Sequence, residues 1–207
     1  MGEVYFEKEN SALLIVNLQN AFVHPEGSLS KIGLDTTRTS RVIDSIRQLK
    51  EAFQVQKRPI IYIQHTQSHQ PNGVDFLSKT FPQLVMKDFC AENSWDAEII
   101  KELKPDEDDY VVTKSRSSAF YQTELENLLQ ELDIDTLVVT GIGTNICVES
   151  TVRDAIHRDY QVFIPKESTV TYLESKEKSA FDNFEYGLAN VVSVKQMLHD
   201  ILVLVCL

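Results

Sequence analysis

The stretch TLVVTGIGTNICVESTVRDA, residues 136–155, joins an apolar run to a helical pattern through a turn that contains two glycines. The continuous hydrophobicity of TLVVT (136–140) is typical of a strand that is covered on both faces. Apolar residues then recur at helical spacing: Val148, Val152, Ala155 and Ile156. Gly141 and Gly143 allow the backbone to turn tightly or to approach a ligand closely. The stretch therefore predicts a strand, a tight turn and a helix in succession.

The same alternation extends in both directions along the chain. Further strands are predicted at 12–16, 60–64, 110–114, 161–165 and 190–194, and further helices at 42–53, around 95–103, at 123–132 and near 175–188. Thr123 and Glu126 form a plausible capping box for the third of these helices. The pattern predicts the α/β class, with one domain over residues 1–207 that has three α/β/α layers and a six-stranded parallel sheet. A closed eight-fold barrel needs more strands than the chain offers.

Ligands of open parallel sheets bind beyond the carboxyl ends of the strands, so the residues just after each strand are candidates for a site. Asn17 follows the first strand, Lys114 ends the third, and Cys147 follows the fourth. Unpaired N–H groups at the start of a helix favour a thiolate, and a lysine converging from another strand favours it further. A thiolate beside a cation and backbone amides suits acyl transfer. The alternatives are a buried structural cysteine, a solvated lysine and a turn-forming asparagine.

Composition and charge narrow the function classes. The formal net charge of −11 over 207 residues argues against a nucleic-acid partner and against an anionic membrane surface. Residues 1–10 lack the pattern of a signal peptide, and no apolar run reaches the length of a membrane span, so we expect a cytoplasmic protein. The cysteines, Cys90, Cys147 and Cys206, are expected to be reduced thiols there.

Three runs along the chain, LLIVNLQNAF (13–22), KSRSSAF (114–120) and GIGTNICVESTVRDA (141–155), form a set of motifs. In content, order and spacing they resemble the first-strand, lysine and nucleophile motifs of the isochorismatase-like cysteine hydrolases. The resemblance extends from about Ser11 to Val194 and implies a Rossmann-like isochorismatase fold. Within that family, TNICVESTVRDA looks closest to enzymes that cut ureido or carbamoyl groups, such as ureidoacrylate amidohydrolase and biuret hydrolase.

The resemblance also implies roles for single residues. Cys147 would be the nucleophile and Lys114 its electrostatic partner. A cis peptide between Ile142 and Gly143 would turn the Gly143 amide toward an oxyanion that the Cys147 amide also binds. The implied substrate is a small amide or ureido compound, no cofactor is implied, and relatives are commonly dimers or tetramers, so a homo-oligomer is expected.

Asn17 departs from the family pattern, in which an Asp at this place takes the thiol proton, gives it to the leaving amine and later activates water. An amide side chain has no titratable proton to exchange in this way. Two interpretations stay open: a natural member with altered or lost turnover, or a family enzyme that carries an Asp→Asn substitution. In either case we expect a hydrolase site in which this chain's turnover is impaired.

Metal binding and the pocket walls are separate questions. Nicotinamidases of this fold use an Asp-x-His…His cluster beyond the second strand, whereas this chain has only His65 and His69 there. Because a zinc site needs at least three protein ligands, we expect no metal. Phe22 and Trp95 are the candidates for apolar pocket walls, and Trp95 is chosen only for its expected place opposite the site.

Two other functions are compatible with this sequence. Isochorismatase-type hydrolysis of a vinyl ether needs acid–base catalysis without a nucleophile, and Asn17 counts against it. A binding or regulatory protein that retains the pocket without turnover is the alternative that is not an enzyme.

Overall fold

The computed structural model describes Phe6, residues 8–67 and residues 89–202. Its strands are β1 (Ser11–Val16), β2 (Ile60–His65), β3 (Tyr110–Lys114), β4 (Thr136–Ile142), β5 (Gln161–Pro165), β6 (Thr169–Val170) and β7 (Asn190–Val192). Its α-helices are α1 (Asn20–Val23), α2 (Ser28–Lys31), α3 (Ile43–Val55), α4 (Leu125–Glu131), α5 (Glu149–Ile156), α6 (Glu174–Asn183) and α7 (Val194–Leu202). None of the helices in these ranges is long and apolar enough to cross a membrane.

All strand pairs are parallel, and six strands pair in the order β3-β2-β1-β4-β5-β7. These six are the strands that the sequence predicts. The sheet has a seventh strand, because the two residues of β6 pair with Gly141 and Ile142 at the end of β4. The prediction of six strands was wrong by this one strand, since a two-residue strand is too short to leave a periodic pattern.

Alternate residues of the central strands pack into two apolar clusters, which explains why those strands are hydrophobic throughout. Leu13 and Ile15 of β1 belong to one cluster, with residues of α3 and α7. Ala12, Leu14 and Val16 belong to the other, with residues of α4, α5 and α6. Because side chains alternate between the faces of a strand, the parallel sheet is flanked by helices and buried on both faces.

Three predicted helices differ in detail from the structure. The region 95–103 forms two 3-10 turns, Trp95–Ala97 and Lys101–Leu103, rather than one helix. The predicted helix 175–188 ends at Asn183 and continues as a π turn, Phe184–Leu188. The Thr123 hydroxyl accepts from the Leu125 N–H at 3.3 Å, but Glu126 pairs with Arg158 at 3.0 Å instead of closing the capping box.

Candidate active site

The strand order places the candidate residues at one edge of the sheet. The chain proceeds outward from β1 to β2 and β3 on one side, and β4, β5 and β7 lie on the other side. β1 and β4 are therefore neighbours at the switch in strand order, where open parallel sheets bind ligands beyond their carboxyl ends. Asn17 directly follows β1, and Gly143 directly follows β4.

Gly141 allows the end of β4 to approach the end of β1 closely. Gly141 has a φ of +118°, and a Cβ atom at this position would lie 2.1 Å from the Val16 carbonyl oxygen. Only a residue without a side chain fits both the space and the backbone conformation. The turn after β4 is thereby held close to the end of β1, and the peptide bond between Ile142 and Gly143 that follows is cis.

Cys147 lies in a π turn, Thr144–Val148, that leads directly into α5. The sequence predicted the first turn of an α-helix here, and the structure has the wider π turn before the α-helix begins at Glu149. The Thr151 hydroxyl donates to the Cys147 carbonyl oxygen at 2.7 Å and so ties the turn to α5. The Cys147 side chain is half-buried and lines a pocket, so its sulfur is placed where a ligand could reach it.

Lys114 is the cation beside this sulfur. Its side chain is 2% exposed, and its Nζ donates to the Arg116 carbonyl oxygen at 2.8 Å and lies 3.5 Å from Cys147 Sγ. Within the described ranges, Lys114 forms no ion pair with a carboxylate. A buried ammonium group is costly without a nearby negative charge, and a Cys147 thiolate would supply that charge.

Asn17 is fully buried and has a positive φ of 56°. Its Nδ2 donates to the Ile142 carbonyl oxygen at 2.8 Å. Its Oδ1 has no hydrogen-bond partner among the described residues, although the atom is buried. Asn17 thus contacts the same turn that carries Gly143, through a donor that an aspartate carboxylate lacks. The roles of Asn17, Ile142, Gly143, Lys114 and Cys147 in catalysis stay predictions.

The pocket around Cys147 has a volume of about 420 Å³. Its polar lining includes Asn17, His65 and Asn145, and Phe22 contributes to an otherwise largely apolar wall. Phe22 was expected in this wall, and the structure places it there. The Tyr172 hydroxyl, also at the pocket, donates to the Phe22 carbonyl oxygen at 3.0 Å.

Trp95 does not reach this pocket, contrary to the expectation that it forms one of its walls. Its side chain is 44% exposed, packs edge-on against the His24 ring at 4.9 Å, and lines a separate depression of about 650 Å³. Trp95 begins a short 3-10 turn instead of the predicted helix, so the expected helix does not define where its side chain lies.

His65 lines the pocket, and Gln19 holds the His65 backbone in place; the sequence reasoning gave neither residue this role. The side chain of Gln19 accepts from the His65 N–H at 2.7 Å and donates to the carbonyl oxygens of His65 and Ala97, each at 2.8 Å. Burial, assisted by the nearby charges of Lys114 and Arg116, lowers the pKa of His65 to about 3. The imidazole is therefore neutral at pH 7. The signal available in the sequence was position, because His65 ends β2 and Gln19 follows the end of the neighbouring strand β1.

In residues 8–67 and 89–202, no group of three or more His, Cys, Asp or Glu side chains could hold a metal ion. His69 lies outside the described residues, so a metal-free site stays a prediction.

Comparisons with known proteins agree with this fold. The isochorismatase domain model matches residues 11–196. A cysteine hydrolase from Pseudomonas syringae pv. phaseolicola 1448A has a similar structure, with a TM-score of 0.87 and 23% identity over 96% of this chain and 95% of that chain. An N-carbamoylsarcosine amidase from Thermoplasma acidophilum has a TM-score of 0.74 and 27% identity, over 89% of this chain and 96% of that chain. An isochorismatase-like hydrolase from Alkaliphilus metalliredigens has a TM-score of 0.74 and 25% identity, over 92% of this chain and 98% of that chain.

Proposed function

The chain belongs to the isochorismatase family of hydrolases, and from this premise we propose that it cleaves a C–N bond of a small amide or ureido compound through a Cys147 acyl-thioester. The observation that carries the proposal is the distance of 3.5 Å between Lys114 Nζ and Cys147 Sγ in a pocket. A thiolate held by a buried cation is the nucleophile that this chemistry needs. The similarity to an N-carbamoylsarcosine amidase supports a carbamoyl or ureido group as the reacting part.

In the proposed reaction, the Cys147 thiolate attacks the carbonyl carbon, and a C–S bond forms. The backbone amides of Gly143 and Cys147 would stabilise the oxyanion. The C–N bond then breaks, and the leaving amine or ammonia must take up a proton. Water hydrolyses the thioester afterwards and releases the acid and the thiol.

Asn17 limits this sequence of steps, because its amide can neither deliver the proton to the leaving amine nor take one from the attacking water. Attack by the thiolate does not require a base at position 17. The chain is therefore expected to form the acyl adduct slowly and to release it more slowly still. A binding or regulatory role is the second candidate, and the Asn17 bond to the Ile142 carbonyl oxygen favours it, because this bond stabilises the turn without serving proton transfer.

The deciding experiment compares the chain with its Asn17→Asp variant on a panel of amides and ureido compounds. We expect turnover to rise by about 10²–10⁴-fold in the variant, the usual contribution of a positioned proton-transfer group. Intact mass over time should show a Cys147 adduct that persists in the original chain and clears in the variant.

A matched control is Asn145→Asp, which adds the same charge to the same pocket at a different place. This control should gain no turnover. Urea unfolding of all three proteins should accompany the assay, because the carboxylate of the Asn17→Asp variant cannot donate to the Ile142 carbonyl oxygen as the Asn17 amide does. Equal turnover in Asn17→Asp and the original chain, with both folded, would remove position 17 from the mechanism. If neither the original chain nor Asn17→Asp turns over any compound of the panel, the binding role is favoured.

A further inference from the structure

Apolar side chains from three parts of the chain line the pocket beside Cys147. Leu29, Ile32 and Leu34 come from α2 and the segment that follows it. Ile146 directly precedes Cys147, and Leu173 directly precedes α6. Three chain segments that are distant in sequence thus present apolar side chains to the same pocket.

Two of these side chains leave apolar surface uncovered. Ile146 is 42% exposed and Leu173 is 58% exposed, and both belong to the pocket that contains the sulfur of Cys147. A single exposed apolar side chain is ordinary, but a pair at a pocket with a nucleophile is typical of a binding site. The lining also contains two basic side chains, Arg116 and Lys176, whereas the buried His65 is neutral at pH 7.

The volume of the pocket exceeds what the reacting group needs. About 420 Å³ falls within the range of about 300–1,000 Å³ that holds drug-sized ligands, whereas a carbamoyl or amide group is only a few atoms. The remaining space is bounded mainly by aliphatic and aromatic side chains, which include Phe22 and Phe89.

We propose that the group which Cys147 accepts carries an apolar chain or ring, seated against the Ile32–Leu34 segment and Leu173. This inference rests on the proposed function, and it specifies the substrate class as amides or ureides with an apolar substituent. Burial of that substituent would cover Ile146 and Leu173 and would position the carbonyl carbon at Cys147 Sγ.

Activated esters test this preference without the proton transfer that Asn17 lacks. In a p-nitrophenyl ester, the thiolate attacks the carbonyl carbon, the C–S bond forms, the C–O bond breaks, and p-nitrophenolate leaves with the electron pair. No protonation of the leaving group is needed at neutral pH. The rate of adduct formation at Cys147, followed by intact mass and peptide mapping, therefore reports how well the pocket accepts each acyl group.

The experiment compares p-nitrophenyl acetate with p-nitrophenyl hexanoate, and N-acetylcysteine provides the intrinsic reactivity of each ester. One fully buried methylene group is worth about fourfold in rate, so partial burial of four should favour hexanoate by about 10- to 100-fold. Leu173→Asn should lower the ratio of the hexanoate rate to the acetate rate by about 3- to 10-fold. Val55→Asn replaces an apolar side chain that is 71% exposed and does not line this pocket, and it should change neither rate.

Each outcome is decisive. The inference is supported if hexanoate reacts faster than acetate after each rate is divided by the rate of the same ester with N-acetylcysteine. Leu173→Asn must reduce this preference, and Val55→Asn must not. Equal or faster acylation by acetate, or equal effects of the two variants, overturns the inference and leaves Cys147 as the nucleophile. If neither ester modifies Cys147 faster than it modifies N-acetylcysteine, the proposed function falls, and the inference falls with it.

Discussion

At the scale of single residues, the two described cysteines show how burial separates a reactive thiol from a structural one. Cys147 is half-buried at a pocket, 3.5 Å from the Lys114 ammonium group. Cys90 is fully buried, and burial together with the nearby Asp96 carboxylate raises the pKa of its thiol far above the usual range. Because the thiolate is the nucleophile, only Cys147 of these two combines access with a stabilising charge.

Limited iodoacetamide should therefore label Cys147 first. We expect its alkylation to be at least about tenfold faster than that of Cys90, as measured by mass spectrometry of peptides from a short time course. Cys206, which lies outside the described residues, is also expected to react more slowly. Cys147→Ser should abolish the fast phase and leave the slow one. Labelling that begins at Cys90 or Cys206 would contradict the assignment of Cys147.

At the scale of elements, the sequence predicts what depends on repetition. All six longer strands occur where apolar runs predict them. In the central strands β1, β2 and β4, burial on both faces leaves a continuous apolar run that can be recognised without knowledge of the partners. The two residues of β6 leave no pattern, and their pairing with Gly141 and Ile142 depends on the folded turn. Trp95 was misplaced for the same reason, since an irregular segment of 3-10 turns has no periodicity from which its direction follows.

In the candidate site, too, some features follow from the sequence pattern and others depend on the folded structure. Positions at strand ends follow from the strands, so Asn17, Lys114 and Cys147 could be selected from the sequence. The hydrogen bond from Asn17 to the Ile142 carbonyl oxygen could not be predicted, because it joins residues 125 positions apart through side-chain orientation. The part played by Gln19 in holding His65 likewise depends on strand register.

The approach of β4 to β1 provides a test at this scale. Gly141→Ala should destabilise the fold by at least about 3 kcal/mol, because the new Cβ would lie 2.1 Å from the Val16 carbonyl oxygen and the φ of +118° is unfavourable for alanine. Urea unfolding followed by circular dichroism measures the change. Gly187→Ala is the matched control, since nothing lies within 4 Å of its added Cβ, and it should change stability by less than about 1 kcal/mol. Equal urea midpoints for the two variants would show that β1 and β4 can separate without cost.

At the scale of the whole molecule, acidity acts on the fold in two opposing ways. The chain carries a formal net charge of −11 at pH 7, so protonation of its carboxylates on mild acidification relieves self-repulsion. His65 acts in the other direction, because it is held neutral in the folded chain beside the cations Lys114 and Arg116. The balance of the two effects determines how stability changes as the pH falls.

The sign of the His65 contribution follows from its two pKa values, 6.5 as the ordinary value and about 3 in the folded chain. Above pH 6.5, the side chain is neutral in both states and contributes no pH dependence. Between pH 6.5 and about 3, the unfolded chain binds a proton that the folded chain does not bind, so stability falls as the pH falls. The slope approaches about 1.4 kcal/mol per pH unit, which gives a loss of about 2 kcal/mol from this residue between pH 7.5 and 5.0.

His65→Gln separates this loss from the effects of the carboxylates, which all variants share. Urea unfolding at pH 7.5 and 5.0 should show that the original chain loses about 2 kcal/mol more than His65→Gln over that interval. His157→Gln replaces an exposed histidine and should lose as much as the original chain does. The comparison uses differences between two pH values for each protein, so any cost of the substitution at pH 7.5 cancels.

The same pH dependence in the original chain and in His65→Gln would mean that His65 takes up a proton as readily in the folded as in the unfolded chain. The lining of the pocket would then gain a positive charge at mildly acidic pH, and an apolar substituent would be bound less well than at pH 7.5.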